Sequence, residues 1–257
     1  VSLCMCGQFT VFSERFLMKA DFFMHTTTFS IQSAPAVLYG EPSDRVVLFV
    51  HGQCGFKEEA APFAELAAPK GWQVLSVDLP EHGGRTDGVP LLPWAVVPEL
   101  SAVMAYAQAH WQHIAVRATS IGAWFSLLAF AGTPVECCLL VSPLTDMAGM
   151  ISSMMQAANV TEAQLEAAQE IAVPGGPALS WRYLCYARSH TAAAISDQTH
   201  VLWASGDAMI PKSAVDAFVQ KASAVLTVYP GGEHWFHTDE QVAFLRRWEA
   251  AALPNHA

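Results

Sequence analysis

The chain has 257 residues, 53% of them apolar and 14% charged, enough for one sizeable core and too apolar for a disordered protein. A formal net charge of −10, with no basic cluster beyond Arg246-Arg247, argues against a nucleic-acid partner. No apolar run approaches the roughly 18 residues of a membrane span, so none is expected.

Residues 1–25 are expected to form an N-terminal extension, partly disordered and dispensable for catalysis. They carry Glu14 and Arg15 and lack a basic region ahead of their apolar residues, unlike a secretory signal; Met18 and Met24 offer internal starts. From there short apolar runs alternate with helical patterns. Thr26–Ile31 and Ala36–Tyr39 alternate and are rich in Thr, Val and aromatics, which predicts a hairpin. Val46–Val50 is wholly apolar and reads as a strand buried on both faces. A helix is predicted over 58–69, a strand over 74–77, a helix over 93–110, a strand over 114–118, a helix over 121–131 and a strand over 137–141.

The rhythm then breaks. Residues 144–195 contain no convincing strand and predict three helices, 147–158, 161–171 and 180–189, with Thr161 capping the second. Strand and helix resume over 201–204, 212–222, 226–229 and 238–253. The expected organisation is therefore an α/β core over 26–143 and 196–257, with a mostly parallel central sheet covered by helices on both faces, and a helical cap inserted at 144–195. Within that cap Met147, Met150, Met154 and Met155 share nearly one helix face, which more often packs on a core than adapts to ligands. Arg182 and Arg188 read as solvated surface.

The six cysteines, Cys4, Cys6, Cys54, Cys137, Cys138 and Cys185, form no CxxC pair and no zinc-ribbon spacing. Thiols in a reducing cytoplasm are the expectation.

Four loops carry chemistry, each at the end of a predicted strand. Ala118-Thr119-Ser120-Ile121-Gly122 has the form A-x-S-x-G, close to the G-x-S-x-G nucleophile elbow, whose sharp turn needs small residues on either side of the serine. By itself the match is weak, since a serine there also serves as a helix N-cap. The turn would aim the Ile121 N–H at a developing oxyanion. In His51-Gly52-Gln53-Cys54-Gly55 the glycines permit close backbone approach; the Gln53 N–H is the expected second donor and Cys54 the next choice. His51 reads as structural, and Cys54 as a poor nucleophile because it is not on an elbow. Asp207 follows a strand, where doubly wound sheets place functional groups, although an Asp there also suits a helix cap. His234 lies on the loop after the last strand and is favoured as a base over His237, which begins to enter the final helix.

Together these motifs resemble the α/β-hydrolase superfamily. The order Ser120, Asp207, His234, the H-G-x-x-G loop, the G-D-x-x-[IV]-P acid loop and the G-x-x-H-x-F histidine loop all match its pattern. Asp78-Leu79-Pro80-Glu81-His82-Gly83 is similar to its D-x-P-G-H-G signature. Ala118 and Glu81 depart from that pattern where it has glycine. The resemblance spans about residues 35–252. It implies an α/β-hydrolase fold and a carboxylesterase-like serine hydrolase: Ser120 as nucleophile, His234 as base, Asp207 orienting the imidazole, Gln53 and Ile121 N–H groups as oxyanion hole. No metal or organic cofactor is required. Cys54, Phe56, Trp124, Met209 and Trp235 flank these motifs as candidate substrate contacts, suggesting a small to medium apolar ester; plain core packing is the rival role for each. A thioesterase, an acyltransferase, a C–C hydrolase or lyase, and a non-catalytic relic that binds a small molecule are the alternatives on the same residues. A homodimer stays open.

Overall fold

The structure is a computed structural model that describes residues 24–174 and 176–255. The N-terminal extension, all but its last residues, lies outside the described residues. The hairpin forms as expected: β1 (Thr26–Ile31) pairs antiparallel with β2 (Ala34–Tyr39). There follow β3 (Arg45–Val50), α1 (Ala61–Ala67), β4 (Gln73–Val77), α2 (Pro93–His110), β5 (His113–Thr119), α3 (Ser120–Ala129) and β6 (Cys138–Val141). After the inserted segment come β9 (Thr199–Ala204), α7 (Lys212–Ala222), β10 (Val225–Tyr229) and α8 (Asp239–Ala252).

Eight strands form one sheet in the order β1-β2-β4-β3-β5-β6-β9-β10. Pairing is antiparallel from β1 to β4 and parallel from there on. The wholly apolar runs sit at its centre. Val46, Val47, Leu48, Phe49 and Val50 of β3 are all buried, as the lack of alternation requires of a strand covered on both faces. Each such side chain contributes roughly 1.5–3 kcal/mol by leaving water.

The chain steps from β3 to β4 in one direction and from β4 back across to β5 in the other. Right-handed crossovers therefore place α1 on one face of the sheet and α2, α3 and α7 on the opposite face. Contacts agree: α1 packs with α8, and α2 with α3. The reversal leaves a switch point between β3 and β5, whose C-terminal ends lie side by side with Val50 opposite Ala118. Open α/β sheets place their sites in the crevice at such a point.

The sequence predicts one helix over 58–69. A 3₁₀ turn at Lys57–Ala60, α1, and a second 3₁₀ turn at Ala68–Lys70 occupy that stretch, since Pro62 suits a helix start and Pro69 breaks the ladder.

Residues 147–190 make a compact unit of their own, and residues 25–146 with 191–255 make another. The first unit holds α4 (Met147–Ala157), α5 (Glu162–Ala168) and α6 (Trp181–Ser189). Contrary to expectation it also holds two short strands, β7 (Glu170–Ile171) and β8 (Leu179–Ser180), paired antiparallel. Thr161 caps α5 through a reciprocal capping box with Gln164. Met147, Ile151 and Met155 form the buried stripe of α4, with Met150 and Met154 half-buried. Arg182 and Arg188 are exposed, Arg188 in an ion pair with Glu162. Among the described residues no helix is long and apolar enough to cross a membrane.

Candidate active site

Ser120 stands at the abrupt junction of β5 and α3, with a backbone φ of 50°. A non-glycine residue takes that left-handed conformation at a cost, and only where its surroundings hold it there. Three contacts do so. The Leu144 N–H donates to the Ser120 carbonyl at 3.1 Å. Gly52, on the loop after β3, is so near that a Cβ built on it would lie 3.3 Å from the Ser120 Cβ. Gly122 rests against the His51 carbonyl oxygen, which any Cβ there would overlap. The second small residue of the A-x-S-x-G pattern is thus demanded by the loop after β3. The first, Ala118, is fully buried within β5 and fits without strain.

The Ser120 hydroxyl donates to His234 Nε2 at 2.9 Å, and His234 Nδ1–H donates to Asp207 Oδ2 at 2.7 Å. The other oxygen of Asp207 accepts the N–H groups of Met209 and Ile210 at 2.8 and 2.9 Å, which fixes the carboxylate plane. Asp207 therefore orients the imidazole and caps its own loop at once. The loops that carry Asp207 and His234 are stitched together: the Gly206 N–H donates to the Gly232 carbonyl, and the Gly231 N–H to Ser205 Oγ. A Cβ on Gly206 would come within 2.6 Å of the Gly232 oxygen, so the G-D pair keeps these loops in contact. His234 is 4% exposed, Asp207 9%, and Ser120 is half-buried. His237 instead faces Glu233, with 3.6 Å between Nδ1 and Oε2.

A side chain that the sequence did not single out completes this part. Ser142, at the end of β6, is fully buried, has a φ of 44°, and donates its hydroxyl to the His234 carbonyl at 2.8 Å. Its place just past a buried strand, on the same edge as Ser120 and Asp207, is the signal that would have found it.

The loop over residues 51–55 is held from behind by two histidines. His51 Nδ1–H donates to the Gly52 carbonyl and its Nε2 accepts the Leu79 N–H; His82 Nδ1–H donates to the Pro80 carbonyl and its Nε2 accepts the Cys54 N–H at 2.9 Å. Both rings need a bare Nε2 for this, so both are neutral Nδ1–H tautomers. Burial pushes the His51 imidazole down to about 4. The signature after β4 contributes its aspartate as well. Asp78 accepts the N–H groups of Lys57 and Gly84 and the Lys57 ammonium. Burial opposes its charge, but these donors outweigh it and hold the carboxyl below its ordinary range. Glu81, where the related pattern has glycine, keeps the conformation that favours glycine, at φ 64°.

The Cys54 N–H, within the loop over residues 51–55, is engaged by His82. The Cys54 thiol is pushed up, first by burial and then by the Glu59 carboxylate, which disfavours the thiolate that a nucleophile needs. Among the candidate substrate contacts Phe56, Met209 and Trp235 are exposed, at 38%, 44% and 56%. Cys54 is exposed too. Trp124 is 1% exposed and packs at a tilt against Phe125, so it serves the core.

No protein-family model and no curated protein matches the chain. Solved structures do. A putative hydrolase from Agrobacterium vitis S4 is 15% identical, with 90% of this chain and 98% of that chain covered and a TM-score of 0.67. Est1E from Butyrivibrio proteoclasticus, bound to ferulic acid, is 17% identical, with 88% and 96% covered and a TM-score of 0.67. Mouse alpha/beta hydrolase domain-containing protein 10 is 13% identical, with 88% and 96% covered and a TM-score of 0.65. At these identities the likeness is one of fold.

Proposed function

From the premise that this chain has the α/β-hydrolase fold, we propose that it is a serine hydrolase cleaving a carboxylic ester of a small to medium apolar substrate. One observation carries this reading: an unbroken hydrogen-bond chain from the Ser120 hydroxyl through His234 to Asp207, on a strained strand-to-helix turn. His234 takes the Ser120 proton as the hydroxyl attacks the ester carbonyl, and Asp207 stabilises the imidazolium that results. The Ile121 and Gln53 N–H groups bind the tetrahedral oxyanion, each worth about 3 kcal/mol of barrier. The imidazolium protonates the leaving alcohol, and water, activated by the same imidazole, releases the acid from Ser120.

The substrate class rests on the rim. Phe56, Met209 and Trp235 are large, apolar and exposed, and they belong to the loops that bear the oxyanion donor, the acid and the base. Exposed apolar side chains on the loops that carry the three residues' motifs favour an apolar acyl or alcohol group. No disulfide joins Cys54, Cys137, Cys138 or Cys185, which supports a reducing, cytoplasmic setting.

The test is direct. A fluorophosphonate should label Ser120, and Ser120→Ala should lose hydrolysis of p-nitrophenyl butyrate by roughly 10⁴-fold or more while keeping its circular dichroism spectrum. Asp207→Asn should lose roughly 10⁴-fold and His234→Ala at least as much. Full activity in Ser120→Ala, or in His234→Ala, would overturn the assignment. A panel of p-nitrophenyl esters of rising chain length, methyl ferulate and acyl-CoA thioesters decides between ester and thioester chemistry.

A further inference from the structure

Arg117 is a charged residue in the middle of β5, a strand paired on both sides and buried on both faces. Its guanidinium is held in three ways. Nε donates to Glu249 Oε1 at 2.9 Å, and Nη2 stands 2.9 Å from the same oxygen in an ion pair. The plane lies over the Phe49 ring, 4.5 Å from its centroid. Nη1 donates to Thr119 Oγ1. Arg117 is 5% exposed and Glu249, on α8, only 3%. Such a pair is a poor device for stability: the cost of desolvating two charges about cancels their attraction, and well-packed apolar residues serve as well or better.

What the pair touches suggests another use. Thr119 immediately precedes Ser120. Its hydroxyl is bonded to Arg117, and its methyl lies 3.6 Å from where a Cβ on Gly52 would stand, against the oxyanion loop. The Thr side chain turns about one bond, so fixing its oxygen fixes its methyl. Thr119 thereby spans the seam between the turn that carries Ser120 and the loop that carries the Gln53 N–H.

We propose that Arg117, held by Glu249, is a positioning residue that acts through Thr119 to set Ser120 against the oxyanion loop. The inference rests on Ser120 being the nucleophile. The seam matters because a misplacement of about 1 Å can cost roughly 100-fold in rate.

The double variant Arg117→Met/Glu249→Leu removes both charges together and so avoids a lone buried charge. Its melting temperature should equal or exceed that of wild type. Its kcat and its second-order rate of Ser120 phosphonylation should fall about 10-fold, with KM unchanged. Thr119→Val, which keeps the shape and removes only the acceptor, should show a similar fall, and the triple variant should fall no further than Thr119→Val alone. A stable double variant as fast as wild type would make the pair merely structural and overturn the proposal. Should the double variant not fold, Thr119→Val decides alone: wild-type kcat in it overturns the proposal. A wild-type chain that fails to label would instead remove the nucleophile, and this inference with it.

Discussion

Cys54, Glu81, Ser120, Ser142 and Phe236 all have positive φ although none is glycine, and all lie on loops that build or brace the site. Each such residue costs on the order of 1–3 kcal/mol and persists only where neighbours over-determine it. Those neighbours are in part the two histidines behind the oxyanion loop, and His51 makes the dependence measurable. The unfolded chain binds a proton on this ring below about 6.5, the folded chain only below about 4. Folding is therefore penalised as pH drops through that window, by about 3 kcal/mol in all. Urea unfolding midpoints should fall between pH 6.5 and 4 faster in wild type than in His51→Asn; equal slopes would refute a neutral, buried His51. Much of this scale was legible in the sequence. The small flanks of Ser120 betrayed the turn, and the order of serine, aspartate and histidine pointed to the three side chains that hydrogen bonds link. Arg117 was not legible, because its buried partner Glu249 lies 132 residues away; Ser142 offered only its place just past a buried strand, and its bond to the His234 carbonyl spans 92 residues.

The elements show the same division. The predicted helices over 93–110 and 212–222 coincide with α2, which opens on Pro93 at its first position, and with α7, whose buried Val215 and Phe218 recur at helical spacing. The two-residue strands β7 and β8 left no periodic signal to read. Gly122 shows how packing between elements overrides local preference. It lies in the first turn of α3, where alanine would ordinarily favour the helix by about 1 kcal/mol. Against that, a Cβ would overlap the backbone oxygen of His51, which is not free to move aside. Forced overlap costs typically 1–3 kcal/mol, so the clash wins. Gly122→Ala should lower stability by about 1 kcal/mol in chemical denaturation; a variant as stable as wild type, or more so, would show that the seam between α3 and the loop over residues 51–55 yields.

At the scale of the molecule, the alternation of strands and helices sufficed for a mostly parallel sheet with helices on both faces. The strand order was beyond reach, since it depends on pairings between segments far apart in the chain, such as β3 inserting between β4 and β5. Yet that order brings the site together, by setting the loop over residues 51–55 beside Ser120 at the switch point. The same order leaves β10 last, with no strand on its outer side among the described residues. Val225 and Val228 stand exposed there, at 57% and 39%. A bare, β-branched edge is a template for another chain's strand, and mutual repulsion from a net charge of −10 is one restraint on its use. The molecule's weak point under heat or high salt is then aggregation through this edge. Val228→Lys should delay turbidity on heating in high salt without moving the unfolding midpoint; unchanged turbidity would place the sticky surface elsewhere. An edge this poorly guarded limits how concentrated and how warm the folded chain can be kept.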